Sequence, residues 1–281
     1  MYIKAFAKIN VALNVLNVRK DGYHDLDMIV LPLELHDAIE VEIMPNASDT
    51  YITCDEVSLS GGKYNIVQTA INKARDKYHF KNNFDIIIHK EIPISAGLGG
   101  GSSNAAAVLN AIFHLLKIQP SYDDIIDLAK SVGSDVPFCM FNVPSRVKGT
   151  GEILEPISVK TKYSVLIVKP EQGLSTKEVY EMSNKKAVEN CDIDRVIDAL
   201  ALGDEKALAT SAKNSLENAS ISMLPEIQTI KDSLHSDGLY IVLMSGSGSS
   251  VFALSTDHHK LSKLVKKYEK LGYDVVLTKI K

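Results

Sequence analysis

Four glycines within five positions are the feature that most restricts how this 281-residue chain can fold. They lie in Gly97–Gly101, after an apolar segment, Phe84–Ile88, that predicts a short buried strand. The following segment, Asn104–Leu116, is apolar almost all round, which predicts a central buried helix. Backbone N–H groups of such a loop can approach an anion closely, and a helix N-terminus adds positive potential. The run therefore predicts a phosphate-binding loop, although a tight turn without a ligand has the same composition.

Two common phosphate-binding motifs are excluded by the residues around this run. No Gly-Lys-Ser/Thr follows it, which excludes a Walker A loop, and Ser102 occupies the last glycine position of a G-x-G-x-x-G motif that starts at Gly97. The acidic ribose ligand expected about 20 residues later is also missing, because Gln119 and Pro120 stand there. Ser102 and Ser103 instead add hydroxyl groups that can bind a phosphate or Mg²⁺.

Two polar side chains interrupt an apolar, alternating segment near the N-terminus. The alternation over Tyr2–Leu16 predicts a strand, on which Lys8 and Asn10 share one face because side chains alternate with a period of two. An inward-facing lysine needs a charge partner, since burying an unpaired ammonium is strongly unfavourable. We therefore expect an acidic partner for Lys8 elsewhere in the chain.

Three further segments contain residues that could serve either structure or function. Asp135, in Gly133–Phe138, is either a helix cap, which its context favours, or a carboxylate in a partly dry pocket. Asp21-Gly22-Tyr23-His24 is a turn that displays an aromatic ring and an imidazole. Ser245–Ser250 is either a wide hairpin turn or a second phosphate-facing loop. None of the three decides a function by itself.

Composition narrows the class of protein. The chain has 31 Lys+Arg and 35 Asp+Glu, a formal net charge of −4, and no long basic run, so we expect no nucleic-acid partner. No segment approaches the ~20 apolar residues of a membrane helix. The three cysteines form no C-x-x-C pair and are expected to be buried thiols in a reducing compartment. We expect a cytoplasmic protein.

The pattern of apolar residues predicts two domains, 1–158 and 159–281. The first begins with an antiparallel β region that includes Ile29–Leu35 and Ile39–Ile43, and an irregular crossover is expected at Pro144–Lys162. The second domain is predicted to have the order β-α-β-β-α-β, apart from extra helices, which is the ferredoxin-like split motif.

The order and content of these segments together resemble the GHMP kinases, the family of galactokinase and of the homoserine, mevalonate and phosphomevalonate kinases. The resemblance covers the whole chain. It rests on Ala7-Lys8-Ile9-Asn10, Asp21-Gly22-Tyr23-His24, the glycine loop Pro93–Ala106, Gly133-Ser134-Asp135-Val136-Pro137 and Gly149-Thr150-Gly151-Glu152. It implies an α+β fold with two domains, an N-terminal ribosomal-S5-domain-2-like β/α domain and a C-terminal ferredoxin-like domain.

The Gly-Tyr-His segment is similar to the branch of the family that uses ATP with Mg²⁺ to phosphorylate the 2-hydroxyl of a cytidine diphosphate methylerythritol. That reaction belongs to the non-mevalonate route to isoprenoid precursors. The resemblance implies a small-molecule substrate and a monomer or homodimer. A GHMP kinase for another small alcohol (mevalonate, phosphomevalonate or homoserine) and a silent nucleotide-binding regulator remain as alternatives. Tyr23 and His24 argue against the first, and Lys8 with Asp135 against the second.

The same resemblance implies a role for individual residues. Lys8 and Asp135 are the catalytic pair: Asp135 accepts the proton of the attacking hydroxyl, and Lys8 keeps it ionised. The residues implied to bind ATP are Pro93, Ile94, Ser95, Ala96, Gly97, Leu98, Gly99, Gly100, Gly101, Ser102 and Ser103, with Asn65 and Lys90 near the adenine and ribose. The residues implied to bind the other substrate are Asn10, Tyr23, His24, Tyr180, Gly246, Ser247 and Gly248. Ser103 is the one residue suggested as a contact for Mg²⁺, and no acidic ligand is evident.

Overall fold

The computed structural model describes residues 1–20, 22–56, 66–185 and 189–281, which form two compact units. Unit 1 consists of Met1–Ala7, Leu35–Ile92 and Gly99–Asn142. Unit 2 consists of Lys8–Glu34, Pro93–Leu98 and Val143–Lys281. The predicted domains 1–158 and 159–281 stay a prediction, since packing in unit 2 joins segments from both.

The secondary structure comprises strands and helices in mixed order. The strands are β1 Tyr2–Val18, β2 His24–Met44, β3 Tyr51–Cys54, β4 Asn83–His89, β5 Ser145–Gly149, β6 Ile153–Pro156, β7 Ser164–Lys169, β8 Ile241–Met244, β9 Val251–Ser255 and β10 Asp274–Lys279. The helices are α1 Ile66–Tyr78, α2 Gly100–Leu115, α3 Tyr122–Val132, α4 Val136–Phe141, α5 Thr176–Ser183, α6 Ile193–Leu202, α7 Glu205–Ser211, α8 Glu217–Met223, α9 Glu226–Ser236 and α10 His258–Lys270. Among the described residues, no helix has the length and apolarity needed to cross a membrane.

Unit 1 is built around helix α2. The C-terminal part of β2 pairs antiparallel with β4, which also pairs with β3 in parallel. Inward-facing residues of β4, Phe84 and Ile86, share one core cluster with Ile71 of α1 and with Val108 and Ile112 of α2. Most residues of α2 are buried, as its nearly all-apolar sequence predicts.

Unit 2 contains a four-stranded antiparallel sheet in the order β10-β7-β9-β8. Counted from β7 as the first strand, this order is 4-1-3-2, and the two central strands, β7 and β9, are buried over nearly their whole length. The predicted β-α-β-β-α-β pattern is therefore confirmed. The N-terminal part of β2 pairs with β5, and β5 pairs with β6.

The expected antiparallel β region is confirmed: Ile29–Leu35 and Ile39–Ile43 lie in one strand, β2, which pairs antiparallel with β4 and β5. The carboxylate of the intervening Asp37 accepts hydrogen bonds from backbone N–H groups, and the strand continues through it. Two other expectations about local structure were wrong. Part of the expected crossover Pro144–Lys162 is a hairpin, β5–β6, whose turn is closed by Glu152 accepting hydrogen bonds from the N–H and hydroxyl of Thr150. Helix α2 begins at Gly100, so part of the glycine run is helical.

Candidate active site

The first half of the glycine loop packs directly on the loop between β8 and β9. Gly97 adopts a left-handed backbone with φ of 73°, and a Cβ there would lie 2.0 Å from the carbonyl oxygen of Ser245. The Ser245 hydroxyl donates a hydrogen bond of 3.0 Å to the carbonyl oxygen of Gly97. Only glycine permits this approach, which brings together two of the segments that the sequence singled out.

Lys8 and Asn10 lie beside this loop contact, in the same unit. Both side chains are buried, 3% and 1% exposed, and the Lys8 Nζ donates a 2.8 Å hydrogen bond to the Asn10 Oδ1. The backbone N–H of Lys8 donates to the carbonyl oxygen of Leu98. A Cβ on Gly246 would lie 3.4 Å from both the Lys8 Nζ and the Asn10 Oδ1. The predicted shared face of Lys8 and Asn10 is present, and Gly246 lies against it.

The second half of the glycine run forms the N-terminus of α2. Gly99 is the N-cap residue, with a left-handed φ of 73°, and its carbonyl oxygen accepts a hydrogen bond from the Ser103 N–H. Gly100, Gly101 and Ser102 follow in the first turn, where helical geometry leaves backbone N–H groups without intrahelical acceptors. Such N–H groups at a sixteen-residue helix can bind an anionic group.

Ser103 is a buried residue of α2, 2% exposed, and its hydroxyl donates a 2.6 Å hydrogen bond to the carbonyl oxygen of Phe6. Its role as a Mg²⁺ contact stays a prediction. Among the residues that the structure describes, no group of three or more His, Cys, Asp or Glu side chains could hold a metal ion. Mg²⁺ usually keeps several waters and binds through one or two carboxylates together with the phosphates of a nucleotide, so it is expected to enter with ATP as Mg·ATP.

Asp135 occupies the N-cap position of the short helix α4, in unit 1. Within the described part of the chain, its carboxylate makes no capping hydrogen bond to that helix. Pro137 lies in the first turn, where a missing N–H is tolerated. The carboxylate is half-buried and is not needed to cap α4, so the capping role that its sequence context favoured is wrong.

Two of the aromatic residues expected to bind the cytosine base, His24 and Tyr180, lie side by side although they are distant in the sequence. The rings of His24 and Tyr180 lie 4.9 Å apart between centroids, and the His24 Nε2 is 2.9 Å from the Asn184 Oδ1. Because an amide oxygen only accepts, this contact favours the His24 tautomer that carries its proton on Nε2. Tyr23 is 60% exposed.

Lys90 lies at the start of the glycine loop, with its side chain 8% exposed and paired with the buried carboxylate of Asp37. A Cβ on Gly100 would lie 3.2 Å from the Lys90 Nζ, so the ammonium is close to the first residue of α2. Asn65, its expected neighbour at the adenine and ribose, lies outside the described residues.

Two residues that support the site, Asn214 and Gly173, are not predicted by the sequence. The Asn214 side chain donates to the carbonyl oxygens of Met244 and Gly246, at 2.9 and 2.8 Å, and so fixes the β8–β9 loop. Gly173 packs against Ser95 so closely that a Cβ would lie 2.6 Å from the Ser95 Cβ. Neither residue lies in a recognisable motif, and only tertiary contacts identify them.

Two family models match this chain, the GHMP kinases N terminal domain over residues 65–142 and the GHMP kinases C terminal over residues 196–274. The chain belongs to the GHMP kinases. The resemblance of the glycine loop and its companion segments to this family is therefore confirmed, as is the two-domain α+β fold that it implied.

Two of the proteins similar to this GHMP kinase are named for the same activity. The 4-diphosphocytidyl-2-C-methyl-D-erythritol kinase of Clostridium kluyveri is 37% identical, and the match covers 100% of this chain and 97% of that protein. The crystal structure of a 4-(cytidine 5'-diphospho)-2C-methyl-D-erythritol kinase superposes with a TM-score of 0.82 at 28% identity, covering 100% of both chains. Homoserine kinase from Cytophaga hutchinsonii has a TM-score of 0.75 at 18% identity, with 100% of this chain and 94% of that chain covered, and shows the fold alone.

Proposed function

We propose that this GHMP kinase transfers the γ-phosphoryl group of Mg·ATP to the 2-hydroxyl of 4-diphosphocytidyl-2-C-methyl-D-erythritol. The observation that carries the proposal is the contact of Gly97 with Ser245, beside the buried Lys8 and Asn10. It joins a phosphate-binding loop to polar side chains that can hold an alcohol. The named activity of relatives up to 39% identical supports the choice of substrate.

In this proposal the triphosphate binds along the glycine loop and the N-terminus of α2. Backbone N–H groups there neutralise phosphate charge without a basic surface, consistent with the formal net charge of −4. Phosphoryl transfer has a loose transition state, so the protein contributes mainly positioning and charge stabilisation. Lys8 supplies a buried positive charge, Asn10 orients the hydroxyl-bearing end of the acceptor, and Asp135 accepts the hydroxyl proton.

The cytosine end of the acceptor is assigned to Tyr23, His24 and Tyr180. With the proton on Nε2 toward Asn184, the Nδ1 of His24 is a hydrogen-bond acceptor, which suits the exocyclic amino group of cytosine. The exposed Tyr23 ring offers a stacking surface. A substrate without a base, such as mevalonate or homoserine, would leave these contacts unused.

A substrate panel tests the proposed function. Purified protein with Mg·ATP should release ADP when the cytidine diphosphate methylerythritol is supplied and not with mevalonate, phosphomevalonate or homoserine, measured by a coupled ADP assay. Turnover with one of these alcohols alone would reject the proposed substrate. Nucleotide binding without turnover on any acceptor would instead favour the regulator.

Tyr23→Ala should raise the KM for the cytidine substrate about tenfold, because stacking of a base on an aromatic ring contributes about 1–3 kcal/mol. The KM for ATP should not change. Tyr240→Ala is the matched control, since Tyr240 is also an exposed tyrosine of unit 2, at 80% exposure. A loss of ATP affinity in Tyr23→Ala would assign this ring to the nucleotide instead.

A further inference from the structure

Asp37 is a fully buried carboxylate that none of the roles above uses. It lies in the part of β2 that belongs to unit 1, and it is 0% exposed. Its Oδ1 accepts hydrogen bonds of 2.8 Å from the backbone N–H groups of Glu91 and Ile92. Its Oδ2 accepts from the Asn104 side chain at 2.7 Å and from the Lys90 ammonium. Four donors therefore occupy the four acceptor sites that a carboxylate offers.

These four donors lie at the two ends of the glycine loop Pro93–Ala106. Lys90, Glu91 and Ile92 directly precede Pro93, and Asn104, the fifth residue of α2, lies close to the other end. A buried ion pair is by itself weak support for stability, because desolvation offsets much of the Coulomb attraction. The cluster does, however, fix both ends of one loop through a single side chain.

The Lys90 ammonium also bonds, at 3.5 Å, to the Asn104 Oδ1, and it lies near Gly100 at the start of α2. A cation at a helix N-terminus is unfavourable unless an anion accompanies it. Asp37 supplies that anion and keeps the ammonium at this position.

We propose that Asp37 is a positioning residue for the nucleotide, which sets the separation of the two ends of the glycine loop and holds Lys90 beneath the N-terminus of α2. This inference rests on the proposed function in that it places ATP on the loop. Asp37 touches neither substrate and acts only through Lys90, Glu91, Ile92 and Asn104.

Asp37→Asn is the first test. The amide keeps the Oδ1 acceptor for Glu91 and Ile92, but its NH₂ group faces the donors of Lys90 and Asn104 and repels them. We expect the dissociation constant of Mg·ATP, measured by isothermal titration calorimetry, to rise about tenfold, the effect of about one charge-assisted hydrogen bond. The KM for the acceptor should stay within about twofold, because the acceptor contacts lie on other segments.

Asp27→Asn is the matched control on the same strand. Asp27 is a partly buried carboxylate in unit 2 that binds Arg146 in a bidentate pair, at 2.8 and 2.7 Å, and raises the pKa of that guanidinium above its ordinary value. This variant should lower Tm and leave ATP binding unchanged. Asp37→Asn could behave like this control, with a lower Tm and an unchanged dissociation constant for ATP. That result would show that Asp37 has a merely structural role and would overturn the inference.

A charge exchange provides the rescue. In the double variant Asp37→Asn with Asn104→Asp, the new amide donates to the new carboxylate, which now faces the Lys90 ammonium, and the total charge of the cluster is unchanged. ATP affinity should return to within about threefold of the parent. An affinity no better than that of Asp37→Asn would count against the proposed network.

If Asp37→Asn does not fold, Asn104→Ala removes one of the four hydrogen bonds to Asp37 and the acceptor that Asn104 offers to Lys90. We expect about a threefold weaker ATP affinity there, and an unchanged affinity would overturn the inference. The parent protein separates this test from that of the proposed function. If the parent protein does not bind Mg·ATP, the proposed function and the role of Asp37 are both rejected. If the parent and every variant bind ATP equally well, only the role of Asp37 is rejected.

Discussion

An Asp135→Asn enzyme is expected to bind Mg·ATP as tightly as the parent and to turn over at least about 100-fold more slowly. Positioned general bases contribute about 10²–10⁴ to rate, and a factor of 100 corresponds to about 2.7 kcal/mol of transition-state stabilisation. The asparagine side chain has the same size as aspartate but cannot accept the hydroxyl proton. The change should therefore appear in kcat and leave KM for ATP unaltered.

The local structure makes this substitution a clean test. Within the described part of the chain, the Asp135 carboxylate caps no N–H group of α4, so its replacement removes no helix cap. The Asp135 carbonyl oxygen, which accepts from the Cys139 N–H at 3.1 Å, is unaffected by the change. A circular dichroism melt of the variant then shows whether enough folded enzyme is present for the comparison of rates.

Asp204→Asn is the matched control for Asp135→Asn. Asp204 is also an N-cap aspartate, but its side chain does cap α7, through the N–H groups of Lys206 and Ala207 at 3.1 and 3.0 Å. Asparagine caps helices about as well as aspartate, so neither rate nor Tm should change. If Asp135→Asn were as active as this control, Asp135 would be rejected as the base.

Local patterns in the sequence were sufficient to find the parts of the candidate site. The period of two places Lys8 and Asn10 on one face of β1, and the structure has both side chains buried. The glycine run is recognisable because backbone approach requires residues without a Cβ. The strands β7 and β9 are nearly continuous apolar runs, and the order of strands and helices around them predicts the ferredoxin-like β-α-β-β-α-β pattern.

Contacts between distant segments could not be derived in this way. The hydrogen bond from Ser245 to Gly97 joins residues that are 148 positions apart, and no periodicity encodes it. Aspartate is uncommon inside strands, and the local sequence does not predict that the N–H groups of Glu91 and Ile92 donate to Asp37 within β2. Asn214 lies in no motif, although it fixes the β8–β9 loop. The motifs of the site were predictable because each is encoded by neighbouring residues. Their arrangement was not predictable, because it depends on tertiary packing.

Gly97→Ala is expected to lower kcat/KM by about 100-fold or more, since displacing catalytic groups by about 1 Å has effects of that size. A Cβ at this position would lie 2.0 Å from the Ser245 carbonyl oxygen and 3.0 Å from that of Gly248. Both are backbone atoms, so no side-chain rotation relieves the overlap, and the two loops must separate. The hydrogen bond from the Ser245 hydroxyl to the Gly97 carbonyl oxygen would then be lost.

Backbone strain alone does not account for a loss of about 100-fold in kcat/KM. The variant Gly272→Ala distinguishes backbone strain from overlap of the new Cβ with the neighbouring loop. Gly272 also has a left-handed backbone, with φ of 89°, but among the described residues an added Cβ there meets no atom within 4 Å. Gly272→Ala should lose about 1–2 kcal/mol of folding free energy from the left-handed conformation, measured by urea denaturation. Gly97→Ala should lose more, because the overlap with two backbone carbonyl oxygens adds to this strain. Only Gly97→Ala should lose activity, because only there do two loops of the site have to move apart. Equal activity in the two variants would mean that the close contact between Gly97 and Ser245 is not needed for turnover.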